Sequence, residues 1–119
     1  MRLPDNPQKR KLLFVCTVNR MRSATAHTLY ETDPRFEVQS AGTDKTASMV
    51  LTTENLNWAD SIVVMEKEHR NFIRKHFPAI YESKKIACLY ISYEYEYMQL
   101  ELVALLKTRI EDFWKRGLL

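Results

Sequence analysis

The sequence predicts an α/β fold: a single domain over residues 1–119, three layers deep (αβα), with a four-stranded parallel sheet between the helices. Three observations carry this. Short continuous apolar runs at 12–15, 62–65 and 86–89 have the length and character of strands covered on both faces. Segments whose apolar residues recur three and four apart stand between and after them, the spacing of one helix face. Strands alternating with helices imply a parallel sheet with helices on both sides.

The elements follow in order. Residues 1–10 are polar and read as a loose lead-in. Leu12-Leu13-Phe14-Val15 is the first strand, and its unbroken apolar character places it centrally. From Arg22 to about Glu31 the pattern turns helical, with Ala26, Leu29 and Tyr30 on one face. Phe36-Glu37-Val38-Gln39 alternates as a second strand, and Ser40-Ala41-Gly42 is expected to end it. A helix is expected around Leu51–Trp58. Ser61-Ile62-Val63-Val64-Met65 is the third strand, followed by a helix from about Lys67 to His76 that Pro78 stops. Ile86-Ala87-Cys88-Leu89 is the fourth strand. The last helix runs roughly from Gln99 to Lys115, with Leu102, Leu106, Ile110 and Phe113 as its apolar stripe and Val103 and Trp114 beside it.

Composition narrows the function. A chain of 119 residues that is 45% hydrophobic suits one core, and two glycines with four prolines leave little room for flexible linkers. The net charge of +3 is compatible with an anionic ligand but too small to argue for nucleic acid. No apolar run approaches the roughly 20 residues that span a bilayer, so no membrane association is expected. Two cysteines do not make a disulfide framework. With no secretory h-region at the start, a cytoplasmic location is expected.

One segment concentrates chemistry: Cys16-Thr17-Val18-Asn19-Arg20-Met21-Arg22-Ser23. It sits between a buried strand and a helix, at the carboxyl end of a strand, where open parallel sheets bind their ligands. A loop of this length can wrap a tetrahedral anion with the backbone N–H groups of Thr17 through Arg22, and the following helix adds its positive end. The same field favours the thiolate of Cys16, the nucleophilic form of cysteine. The Arg22 guanidinium can grip two phosphate oxygens in a fork. The Ser23 hydroxyl can donate to the Cys16 sulfur. Asn19 tolerates the left-handed backbone that a tight anion nest requires. The bland alternative, a buried strand-end cysteine and a surface arginine, explains Cys-x5-Arg alone. The strand–loop–helix setting and the added Asn19 and Ser23 tell against it.

With these residues in view, the chain resembles the low-molecular-weight protein tyrosine phosphatases, and in particular their short bacterial branch. The resemblance runs from about Lys11 to Ile110. It includes LLFVCTVNRMRSATA, VQSAGT, WADSIVVMEKEHRNFIRKHFP and, more weakly, EYEYMQLELVALLK. It implies the phosphotyrosine protein phosphatase I-like fold. It also implies that Cys16 is a nucleophile forming a phosphocysteine, that Arg22 binds phosphate and stabilises the transition state, and that Asn19 and Ser23 hold the loop and the thiolate. Val18 stands where the larger enzymes usually have Gly, and Ala24 where Pro is usual. Neither departure removes a chemical group.

The resemblance further implies an aspartic acid, after the fourth strand, that protonates the leaving group. Aligned on Ile91 and Tyr95, its place is taken by Tyr93. A phenol, with its ordinary pKa near 10, is a poor water-activating base at neutral pH, though it can donate a hydrogen bond. Glu94 and Glu96 are the carboxylates at hand to substitute; solvated loop residues is the simpler reading of both. The tyrosines at 90, 93, 95 and 97 could line an aromatic mouth for a phosphotyrosine ring, Tyr95 foremost, or serve as half-buried packing. A second Asp-Pro pair is replaced by Gln99-Leu100, which caps poorly, so the last helix is expected to start elsewhere or fray.

Other residues read more plainly. Cys88 lies inside an apolar strand, as a buried inert thiol would. Pairing it with Cys16 would make the chain a thiol-dependent arsenate reductase, which resembles it too. His27, His69 and His76 have no carboxylate or thiol cluster to complete a metal site, so neither metal nor cofactor is expected. Asp60 suits a helix-to-strand turn, and Lys67, Glu68, His69 and Arg70 read as a solvated helix face. The functions in play are hydrolysis of phosphotyrosine or aryl phosphate through Cys16, a catalytically impaired module that binds phosphate or phosphotyrosine, and, third, the redox enzyme.

Overall fold

The structure is a computed structural model that describes residues 8–119. Its order is β1 (Arg10–Cys16), α1 (Arg22–Tyr30), β2 (Phe36–Gly42), α2 (Thr53–Trp58), β3 (Ser61–Val64), α3 (Lys67–His76), α4 (Pro78–Ser83), β4 (Lys85–Cys88) and α5 (Leu100–Lys115). The four strands form one parallel sheet in the order β2-β1-β3-β4. Among the described residues, no helix is long and apolar enough to cross a membrane.

Strand alternation divides the core. Leu12, Phe14 and Cys16 face one side, with Ala26 and Tyr30 of α1 and Leu102, Leu106 and Ile110 of α5. Leu13 and Val15 face the other, with Leu56 of α2 and Ile73 of α3. Because β1 is covered on both faces, every residue from Leu12 to Val15 is fully buried, which explains the unbroken apolar run. The chain leaves β1 toward β2 on one side and returns to β3 on the other. The ends of β1 and β3 therefore flank a topological switch point, and the loop after Cys16 opens there.

Several boundaries differ from expectation. Arg10 belongs to β1, paired with Phe36, rather than to a lead-in; residues 8 and 9 are exposed and outside the strand, and residues 1–7 of the expected lead-in lie outside the described residues. β2 continues through Ser40-Ala41-Gly42 instead of ending before them, because Gly42 still pairs with Cys16. A Cβ on Gly42 would lie 2.4 Å from the Thr17 carbonyl oxygen, so only glycine lets β2 run this close to the loop. Leu51 stays outside α2, whose cap is Thr52: its hydroxyl accepts from the Asn55 N–H and its own N–H donates to Asn55 Oδ1. Pro78 stops α3 but also opens α4 at its first position, where no N–H is needed. The last helix starts within one residue of the expected place. It begins at Leu100 with no side-chain cap, and the Gln99 amide accepts from Glu96 N–H at 2.9 Å, which closes the preceding turn.

Candidate active site

The segment after β1 is a curled loop held from outside by its carbonyls. Those of Cys16, Thr17 and Val18 accept from the N–H groups of Thr43, Asp44 and Ser48 at 3.0, 2.9 and 3.1 Å. With the carbonyls turned outward, the N–H groups of Thr17 through Met21 have no protein acceptor among the described residues. Asn19 takes the left-handed conformation, φ 56°, that reverses the loop. This is the geometry of an anion nest backed by a helix N-terminus.

Cys16 lies at the floor, buried, with Ser23 Oγ 2.9 Å from its sulfur. Ser23 in turn donates to Asn19 Oδ1 at 2.7 Å. A hydroxyl has one proton to give, so in this arrangement the Cys16 thiol is the donor toward Ser23.

Arg22 is buried and held at one end. Its Nη1 donates to Glu66 Oε1 at 2.5 Å and to the Ile91 carbonyl at 2.8 Å. The Nε and Nη2 edge makes no hydrogen bond to a described residue and remains for a two-oxygen ligand. A cleft of about 490 Å³ lies over the loop, lined by Cys16, Thr17, Val18, Met21, Arg22, Glu66, Glu68 and Tyr93. Arg20 points away from it and donates to the Thr46 carbonyl.

Of the residues expected at the mouth, only Tyr93 lines the cleft, and it is 80% exposed. Glu94 is exposed and accepts from Ser92 Oγ at 2.7 Å; Glu96 is exposed as well. Tyr95 packs against the core, Tyr97 pairs with Thr28 Oγ1, and Tyr90 accepts from Arg70. Their positions have a common cause. The segment is not extended: Tyr90 and Met98 take positive φ (56° and 60°) and residues 93–94 and 97–98 form turns, so the chain changes direction between the tyrosines and sends them different ways.

Glu66 and His69 are the site residues that sequence reasoning missed. His69, assigned to a solvated helix face, is 1% exposed. Its Nδ1 accepts from the Glu66 N–H at 2.9 Å and its Nε2 lies 3.0 Å from Thr17 Oγ1. Burial, with the Arg22 charge second, pushes its pKa down to about 4. Glu68, from the same assigned face, lines the cleft, and Arg70 is engaged by Tyr90. The available signal was position: these residues follow β3, whose carboxyl end shares the switch point with β1.

Asp60 fastens the opposite ends of the two central strands, just before β3, accepting from Lys11 N–H at 2.9 Å. Cys88 is buried, and burial pushes its thiol pKa up. It lines clefts on the β4 side and not the one over Cys16. Among the described residues no group of three or more His, Cys, Asp or Glu side chains is gathered to hold a metal.

No protein-family model and no curated protein matches the chain. Solved structures do. The low molecular weight protein tyrosine phosphatase SP-PTP from Streptococcus pyogenes superposes with a TM-score of 0.75 at 17% identity, over 90% of this chain and 92% of that one. The YwlE arginine phosphatase from Geobacillus stearothermophilus does so with 0.66 at 24%, over 91% and 94%. The tyrosine phosphatase Wzb from Escherichia coli K30, solved with phosphate, does so with 0.69 at 18%, over 92% and 99%. The three-layer fold is thus that of the low-molecular-weight protein tyrosine phosphatases.

Proposed function

We propose that the protein is a phosphatase of the low-molecular-weight type, hydrolysing aryl phosphate or phosphotyrosine monoesters through a phosphocysteine on Cys16. The observation that carries this reading is Cys16 beside Ser23 at 2.9 Å, on the floor of a loop whose N–H groups from Thr17 through Met21, like the Nε and Nη2 edge of Arg22, have no acceptor among the described residues. The shared fold with tyrosine and arginine phosphatases supports it.

In the proposed reaction the phosphoryl oxygens occupy the nest. When Cys16 ionises, the Ser23 hydroxyl proton turns from Asn19 to the sulfur and steadies the thiolate. The sulfur attacks phosphorus while the bond to the leaving oxygen breaks with its electron pair. The Nε and Nη2 groups of Arg22 bind the equatorial oxygens as charge spreads over them. Water then attacks the phosphocysteine and loses a proton to solvent, which also supplies the proton taken up by the leaving oxygen; the S–P bond breaks with its electron pair on sulfur, so Cys16 returns to the thiolate and inorganic phosphate leaves.

Protonating the leaving oxygen is the weak step. Positioned acids contribute about 10²–10⁴ in rate, and Tyr93 stands at the mouth where a carboxylic acid is needed. The enzyme should therefore turn over good leaving groups well and poor ones slowly. The test is turnover of para-nitrophenyl phosphate and of phenyl phosphate by wild type beside Cys16→Ser. Activity on the first substrate that Cys16→Ser abolishes supports the reading. Folded wild-type protein with no more activity than the variant sinks it and leaves a phosphate- or phosphotyrosine-binding module, the reading favoured by a mouth loop whose carboxylates, Glu94 and Glu96, do not line the cleft.

A further inference from the structure

The first turn of α3 touches the phosphate loop at both ends. Glu66 reaches the seventh loop residue, Arg22, and His69 reaches the second, Thr17. The proton on His69 can be placed by elimination. Its Nδ1 lies 2.9 Å from the Glu66 backbone nitrogen, which has only a hydrogen to offer, so Nδ1 is the acceptor. A neutral imidazole that accepts at Nδ1 carries its proton on Nε2. Nε2 therefore donates to Thr17 Oγ1 at 3.0 Å, and the Thr17 oxygen accepts.

That leaves the Thr17 hydroxyl with its own proton unspent. Thr17 Oγ1 makes no other hydrogen bond among the described residues, and Thr17 lines the cleft. An ordinary solvated threonine would be free to turn its oxygen toward the site. Here the oxygen's acceptor side faces His69, and the donor side is the one left over.

We infer that the Thr17 hydroxyl is a further donor to the bound phosphoryl group, and that His69 is the positioning residue that aims it. The inference rests on the phosphate-loop reading above. Tethering Thr17 through His69 and Arg22 through Glu66 sets both loop ends against the carboxyl end of β3, so the nest is formed before a ligand arrives. Pre-formed donors act without reorganising as charge builds on the phosphoryl oxygens.

Calorimetric titration with inorganic phosphate tests this without relying on turnover. Thr17→Val removes the donor at constant shape, and His69→Phe removes its director. Each should weaken phosphate binding about tenfold, as loss of one hydrogen bond to a charged group does. The double variant should be no weaker than either single one. Thr17→Ser keeps the hydroxyl and His69→Gln keeps a donor near Nε2, so both should bind within about twofold of wild type. Rescue of this kind separates aiming a proton from mere packing. The ring nitrogen shifts of His69 at neutral pH give a second measurement on unaltered protein, and should show the proton on Nε2. Phosphate bound equally well by wild type and Thr17→Val, additive losses, or a proton on Nδ1 would each overturn the inference while leaving the phosphatase reading standing. Wild-type protein that binds no phosphate, with Arg22→Ala indistinguishable from it, would remove both.

Discussion

Lowering the pH from 7 to 5 should destabilise this protein through one residue, His69. The imidazole is buried between Thr17 and Glu66, and the Arg22 guanidinium is the nearby cation. Its pKa falls from 6.5 to about 4 on folding. Between those values the unfolded chain binds a proton that the folded chain refuses, so stability falls as pH falls. The stabilising effect of the neutral ring is complete above pH 6.5, is lost progressively toward pH 4, and changes no further below it. Weighing the two titrations gives a loss of about 2 kcal/mol between pH 7 and pH 5. Asp33 and Glu111 have pKa values held down chiefly by hydrogen bonds from Arg35, so their stabilising effect fades only as the pH falls below the ordinary carboxylate range. The window from pH 7 to 5 therefore lies above the titration of these two carboxylates and within that of His69. Urea unfolding at the two pH values, on wild type and on His69→Gln, reads the effect directly. The wild-type free energy should drop by about 2 kcal/mol and that of the variant by much less. Equal drops in both proteins would refute the argument, because the slope would then belong to other groups.

Three further outcomes follow from the site. Glu66→Ala strips the buried Arg22 of its carboxylate partner; the partial exposure of Glu66 limits the cost to roughly 2 kcal/mol in urea unfolding, with phosphate binding weakened as Arg22 loses its anchor. Gly42→Ala sets a methyl against the Thr17 carbonyl and should displace the loop; para-nitrophenyl phosphate turnover is expected to fall at least about tenfold while stability falls by about 1–3 kcal/mol. Tyr93→Asp puts a carboxylic acid at the cleft mouth and should raise turnover of phenyl phosphate by about tenfold or more, with little change on para-nitrophenyl phosphate, so the ratio of the two rates is the measurement.

The candidate loop was legible because it is contiguous. Cys16, Asn19, Arg22 and Ser23 lie within eight residues, and a strand before them with a helix after them fixes their geometry locally. The strands were legible for a related reason: Leu12–Val15 of β1 and Ile62–Val64 of β3 are covered on both faces, so apolar runs mark them. Punctuation misled where tertiary contact outweighs local preference. Ser40-Ala41-Gly42 looks like a turn, yet it continues β2, and the glycine at 42 is needed because the strand passes against the Thr17 carbonyl there. Pro78 looks like a stop and is also a start.

The sequence by itself determined the layer order, the place of the candidate anion-binding loop and the lack of an aspartate between β4 and the last helix. Only the tertiary structure decided which residues complete the site. Glu66 and His69 lie more than forty residues from the loop, in a stretch whose charges read as a solvated face. They reach it because β3 pairs directly with β1 in parallel, which brings the carboxyl ends of both strands together. Helix periodicity says which residues share a face, but not what that face meets. A buried imidazole and an exposed one are spelled the same way, and the register between two strands is what separates them.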